Sequence, residues 1–212
     1  PNFALQAGAA GQVLAEVARS LATPRAIIVV SAHWATTTTT VGFAERPATI
    51  HDFHGFPAAL YALRYPASGA PAAAAEVVES LRSAGLPVEQ DPARGLDHGA
   101  WIPLRRMFPD ADLPVIPLSL PRGGPAAAYR LGQALAPLLT RNFLLLASGN
   151  LTHNLADYQR IAQRGGPAPA YVQAFTDCLA ERLVARDIDS LLDYRRLAPD
   201  ATTAHPSDEH LL

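Results

Sequence analysis

Residues 24–34 read PRAIIVVSAHW, and Ala26–Val30 within them carries no polar side chain. A strand made of such a run has no face suited to water, so it asks for cover on both sides. A parallel sheet between helical layers meets that demand. The run ends at Ser31, and Ala32, His33 and Trp34 follow. In open parallel sheets ligands bind beyond the carboxyl ends of the strands, which is where His33 falls.

The rest of the chain alternates between helical and extended patterns. Val13, Leu14, Val17 and Leu21 give residues 11–21 a helical stripe, which Pro24 stops. Thr36–Phe43 reads as a second, more exposed strand. A short helix is expected over 58–63, a longer one over 71–84 ended by Gly85, and a short strand over 87–89. Helices follow over 100–108 and 125–139. Between them Leu113–Leu120 reads as a strand that Pro114 and Pro117 assign to an edge or to irregular pairing. Asn142–Ala147 reads as a second buried strand. Helices over 168–185 and 188–194 follow, and the chain ends loop-like. The expected fold is α/β, one domain with a central, mainly parallel sheet flanked by helices.

Composition narrows the function. With 49% hydrophobic and 17% charged residues the chain is not of a disordered type. A net charge of −2 gives no electrostatic case for nucleic acid or an anionic membrane, and no stretch reaches the roughly 20 apolar residues of a span. All 17 basic residues are Arg, which rules out Schiff-base lysine chemistry within these residues. The one cysteine, Cys178, allows no internal disulfide, so a cytoplasmic address is the expectation. The oligomeric state is left open. The chain opens at Pro1 without Met and closes on Leu211-Leu212, so more chain is expected at both ends.

The seven histidines are the main chemical signal. They fall in expected loops: His33 after the first strand, His51 and His54 beside Phe53 and Phe56, His98 before a helix, His153 after a strand, and His205 and His210 near the end. Histidines gathered from distant positions suit a metal site with neutral imidazole ligands. No HExxH pair, cysteine cluster or GxSxG elbow is present. Asp52 and Asp97 either orient neighbouring histidines or cap helix starts.

Five segments occur in order: SAHW at 31–34, HDFHGFP at 51–57, GLDHGAWIPL at 95–104, THNL at 152–155 and HPSDEHLL at 205–212. Together they resemble the class III extradiol ring-cleaving dioxygenases, in the branch similar to DOPA 4,5-dioxygenase. The likeness runs over essentially all of residues 1–212. It implies a non-haem enzyme that uses dioxygen to open a catechol-type ring into a muconic semialdehyde-type product. Fe(II) is the implied metal, with Zn(II) the other candidate. His33 and His210 match metal-ligand positions, with His205 as a nearby competitor to His210. His98 and His153 match catalytic positions, and His153 also stands as a third ligand. A further ligand of the family lies in an HGSP loop, and Pro1–Leu5 resembles the residues that follow it. Trp34, His51, Phe53, Phe56 and Trp101 are the candidates to wall an aromatic substrate. A metal-poor binding module of the same fold and a zinc-dependent hydrolase are the alternatives.

Overall fold

The computed structural model describes residues 1–211 and divides into two compact units. The first comprises residues 1–122 and 130–148, the second residues 123–129 and the chain from Gly149 onward. The elements run in the order α1 (Gly8–Ser20), β1 (Ala26–Thr36), β2 (Thr39–Gly42), α2 (Ala58–Ala62), α3 (Pro71–Ser83), β3 (Val88–Asp91), α4 (His98–Met107), β4 (Val115–Pro121), α5 (Gly124–Leu139) and β5 (Phe143–Ser148). They continue with α6 (Leu155–Arg164), α7 (Ala170–Ala185), α8 (Ile188–Leu192), α9 (Tyr194–Leu197) and α10 (Ala201–Ala204). No helix among the described residues is long and apolar enough to cross a membrane.

The first unit holds one five-stranded sheet in the order β3-β2-β4-β1-β5. Every pairing is parallel except β2 with β4, so the sheet is mainly parallel, as the apolar runs require. Side chains alternate across a strand. Ile27, Val29 and Val115 face one way and pack with Leu96, Trp101, Ile102 and Leu104 around α4. Ile28 and Val30 point to the opposite face, and both are buried. α3 packs on β2, β3 and β4. It starts with Pro71 in its first turn and ends before Gly85, whose φ of +74° belongs to a left-handed stop.

Several expectations need correction. β4 is not at an edge; it lies between β1 and β2. Proline is tolerated there because β4 meets β2 through a single bridge, Val41 to Leu118, and Gly42 leaves room for the ring. A Cβ on Gly42 would lie 2.5 Å from Pro117 Cγ. The expectation of irregular pairing thus holds on that side. β2 is shorter than expected and is buried throughout, under α3. β5 is an edge strand and only half-buried beyond Phe143. β1 runs on to Thr36, so His33 lies within the strand's span and not after it.

In the second unit α7, α9 and α10 close on a small core of Phe175, Leu179, Tyr194, Ala198, Ala201 and Ala204. The apolar stripe expected on α7 is only half used, since Leu183 and Val184 are exposed. α6, α9 and α10 were not expected. α6 buries no residue, and its Leu155 and Tyr158 side chains are exposed. Asn154 starts it by accepting the Asp157 N–H at 3.0 Å, and Gly165 ends it at φ +72°.

Candidate functional site

In the first unit the site begins with a defect in pairing. β1 is in register with both neighbours up to Ser31, which lies opposite Ser119 and Ser148. The register with β4 then slips, and the next partner is Ala35. Residues 32–34 form the irregularity, and bulges of this kind re-aim side chains. His33 sits on it, exposed, and its ring lies 3.9 Å from that of His98. His98 is the first residue of α4 and not a loop residue before it.

Asp52, from the loop after β2, meets His98 twice. Its Oδ1 accepts the His98 backbone N–H at 2.9 Å and lies 2.9 Å from the His98 Nδ1. Burial raises the Asp52 carboxyl, but the hydrogen bonds and charge of His98 outweigh it and hold the group at about 2. Asp52 therefore orients a histidine. Asp97 instead caps α4, accepting the Ala100 N–H at 3.2 Å, and also receives the Ser31 hydroxyl at 2.5 Å. Ligand atoms of His33, Asp52 and His98 all lie within 4.8 Å of one another.

The aromatic candidates divide by burial. Trp101 is fully buried and its indole N–H donates to the Ile50 carbonyl at 2.9 Å, so it backs the site and presents no face to a ligand. Phe53 is also a core residue, edge-on to His98 at 5.6 Å and to Phe56 at 5.4 Å. Phe56 is half-buried. The His51 ring packs among Phe53, Tyr61 and Trp101, with Nε2 3.1 Å from the Leu63 carbonyl. Trp34 is half-buried, with the Arg94 guanidinium 4.4 Å above its ring. His54 is exposed.

The second unit brings His153 and His210 together, their rings stacked at 3.5 Å and 21°. The His153 N–H is held by the Ala204 carbonyl at 2.8 Å. Glu209 completes a second group whose ligand atoms lie within 4.8 Å of one another. Burial raises the Glu209 carboxyl, while the Ser207 hydroxyl at 2.7 Å and the two histidines lower it, for a net depression. The chain can pass here only because residue 149 has no side chain. A Cβ on Gly149 would lie 2.1 Å from the His210 carbonyl oxygen.

His205 behaves differently from His210. It is wholly buried, edge-on to Phe175 and Tyr194, with Nε2 2.9 Å from the Asn150 carbonyl. Burial lowers its pKa, against a smaller opposing effect of the Asn150 carbonyl, so the ring is held neutral. It packs as a core residue of this unit. Sequence reasoning gave no role to Ser31, Gly99, Gly149 or Glu209. A serine at the end of an apolar strand and the glycines of the GLDHG and SGNLTHNL stretches were the available signals.

Each group contains two imidazoles and a carboxylate, a donor set that suits iron(II) or zinc. Either can hold a metal, and the first also has an imidazole–carboxylate pair able to move a proton.

Residues 9–212 match the family model described as the catalytic LigB subunit of aromatic ring-opening dioxygenase. The chain is 39% identical over 189 residues to a 4,5-DOPA dioxygenase extradiol of Mirabilis jalapa, covering 89% of this chain and 70% of that one. It is 40% identical over 202 residues to the protein of the same name in Escherichia coli K12, covering 91% and 71%. A crystal structure of the uncharacterized protein JW3007 from Escherichia coli K12 superposes with a TM-score of 0.78 at 33% identity, over 95% of this chain and 77% of that one.

Proposed function

The chain belongs to the LigB family and is an extradiol ring-opening dioxygenase, and we propose that it opens a catechol-type ring at a non-haem iron(II) to a muconic semialdehyde-type product. The observation that supports this most is the pair of imidazoles at the β1 irregularity, His33 and His98, 3.9 Å apart with Asp52 fixed on one of them. In the first unit His33 is a proposed metal ligand, and in the second unit His153 and His210 are. Iron(II), when bound, would activate a catechol hydroxyl and dioxygen and bring the two substrates together. His153 takes the proton from a substrate hydroxyl oxygen and returns it when the ring opens. His98, with Nδ1 turned to Asp52, offers Nε2. When both nitrogens carry protons, Nε2–H donates to an oxygen that gains negative charge. Trp34 and Phe56, both half-buried, are the aromatic faces best placed to guide a ring.

DOPA is the first catechol to try, because the two curated relatives above are named for it. The test is anaerobic reconstitution with iron(II) or zinc(II), then oxygen uptake and product absorbance with DOPA and simple catechols. One oxygen consumed per ring opened, with iron only, is the expected result. Zinc-dependent hydrolysis without oxygen uptake would replace this reading.

A further inference from the structure

Ser31 lies where β1 leaves its register with β4, and its hydroxyl is committed in two directions. Oγ accepts the His33 N–H at 3.1 Å and donates to Asp97 Oδ1 at 2.5 Å. The same Oδ1 accepts the Ala100 N–H in the first turn of α4, and Oδ2 receives Arg94 Nη2 at 2.6 Å. Ser31 and Asp97 are each 3% exposed, so these bonds are made away from water. Buried polar groups of this kind persist only when paired, and here every partner is part of one chain of bonds.

The chain links two places that matter. One end is the backbone of His33, whose N–H lies outside the register of β1 with β4. The other is the turn of α4 that begins with His98. Gly99 lets the two approach: a Cβ there would lie 2.3 Å from Ser31 Oγ and 2.9 Å from His33 Cδ2. The absence of a side chain at 99 and the hydroxyl at 31 are thus two independent requirements for the same close approach.

We propose that Ser31 and Asp97 are positioning residues for ring opening, whose hydrogen-bond chain clamps the His33 bulge to the start of α4 and sets the spacing of His33 and His98. This rests on the reading of those histidines as site residues. Neither Ser31 nor Asp97 touches substrate in this role. Asp97→Asn keeps an oxygen for Ser31 and Ala100, so it retains most of the clamp, whereas Asp97→Ala and Ser31→Ala release it.

The test compares these variants, in the iron-reconstituted chain, with Ser80→Ala, which removes a hydroxyl that donates to the Ala134 carbonyl from α3. Ser31→Ala is expected to lower kcat about 10- to 100-fold, the scale of a misplacement near 1 Å, with KM little changed. Ser80→Ala lowers the melting temperature and leaves kcat alone. In metal-free protein, amide exchange at His33 speeds up in Ser31→Ala and Asp97→Ala and stays slow in Asp97→Asn. If Ser31→Ala does not accumulate folded, Ser31→Cys, with a weak acceptor of similar size, carries the same comparison. Wild-type kcat in the Ser31 variant, or unchanged exchange at His33, overturns the clamp. A wild-type chain that consumes no oxygen with any catechol overturns the reaction instead, and the exchange data still decide the clamp.

Discussion

Gly149→Ala tests whether the HPSDEH segment must sit where it does. The new Cβ would lie 2.1 Å from the His210 carbonyl oxygen, 2.9 Å from its carbon and 3.1 Å from Cα. All three are backbone atoms, so no rotamer change can relieve the contact. The carbonyl oxygen must retreat from 2.1 Å to at least the 3.4 Å of ordinary contact, about 1.3 Å, and His210 goes with it. The His153–His210 stack is only 3.5 Å deep, so a shift on that scale breaks it. Overpacking of this type costs about 1–3 kcal/mol of stability. A reacting group displaced by about 1 Å costs about 10²-fold in rate, or about 2.7 kcal/mol in the barrier. The assay is iron occupancy and kcat of the folded fraction, beside a denaturant titration. The expected pattern is a modest loss of stability with a large loss of turnover and iron. Wild-type occupancy and kcat in Gly149→Ala would show that His210 has no part in the site.

His153→Ala should lower turnover by about 10²-fold or more, read as oxygen uptake per folded enzyme, and should also release iron if His153 is a ligand. His205→Ala should instead act on stability, by about 2–4 kcal/mol, because it opens a cavity beside Phe175 and Tyr194 and orphans the Asn150 carbonyl. Metal content of its folded fraction should match the wild type. Asp52 is held at about 2, below the ~3.9 of an unfolded carboxyl, so its pairing adds stability above pH about 4 that fades as pH falls toward 2. After discounting for solvent, Asp52→Asn should cost about 1 kcal/mol at neutral pH, and urea titrations of the two proteins should converge near pH 2.

The sheet was legible wherever burial is written locally. Ala26–Val30 announced a strand covered on both faces, and the structure covers it. What the sequence hid depended on neighbours far along the chain. Pro117 reads as an edge signal because proline breaks a ladder, but the ladder on the β2 side is reduced to one bridge and Gly42 accepts the ring. His205 and His210 sit five residues apart in equally polar surroundings and both are buried, but only His205 packs against Phe175 and Tyr194, brought by α7 and α9, while His210 stacks on His153. Asp52 and Asp97 precede the same kind of histidine-bearing stretch, yet one pairs with an imidazole and the other caps a helix. Which does which is fixed by the β1 irregularity, and no periodicity in the sequence marks it.

The parallel pairing of β1 has a consequence for synthesis. Its partners lie far downstream: Ile27 waits for Val115, and Ala26 waits for Phe143. On a ribosome this apolar strand is therefore made before both of its neighbours and stays unpaired until β4, and then β5, has emerged. Loop closure over such distances is slow, and an unpaired apolar strand invites association with other chains. Nascent chains halted between β4 and β5 would have one side of β1 satisfied and the other open. They are the species that a chaperone must hold, and yield in a cell would be set there more than by the stability of the finished fold.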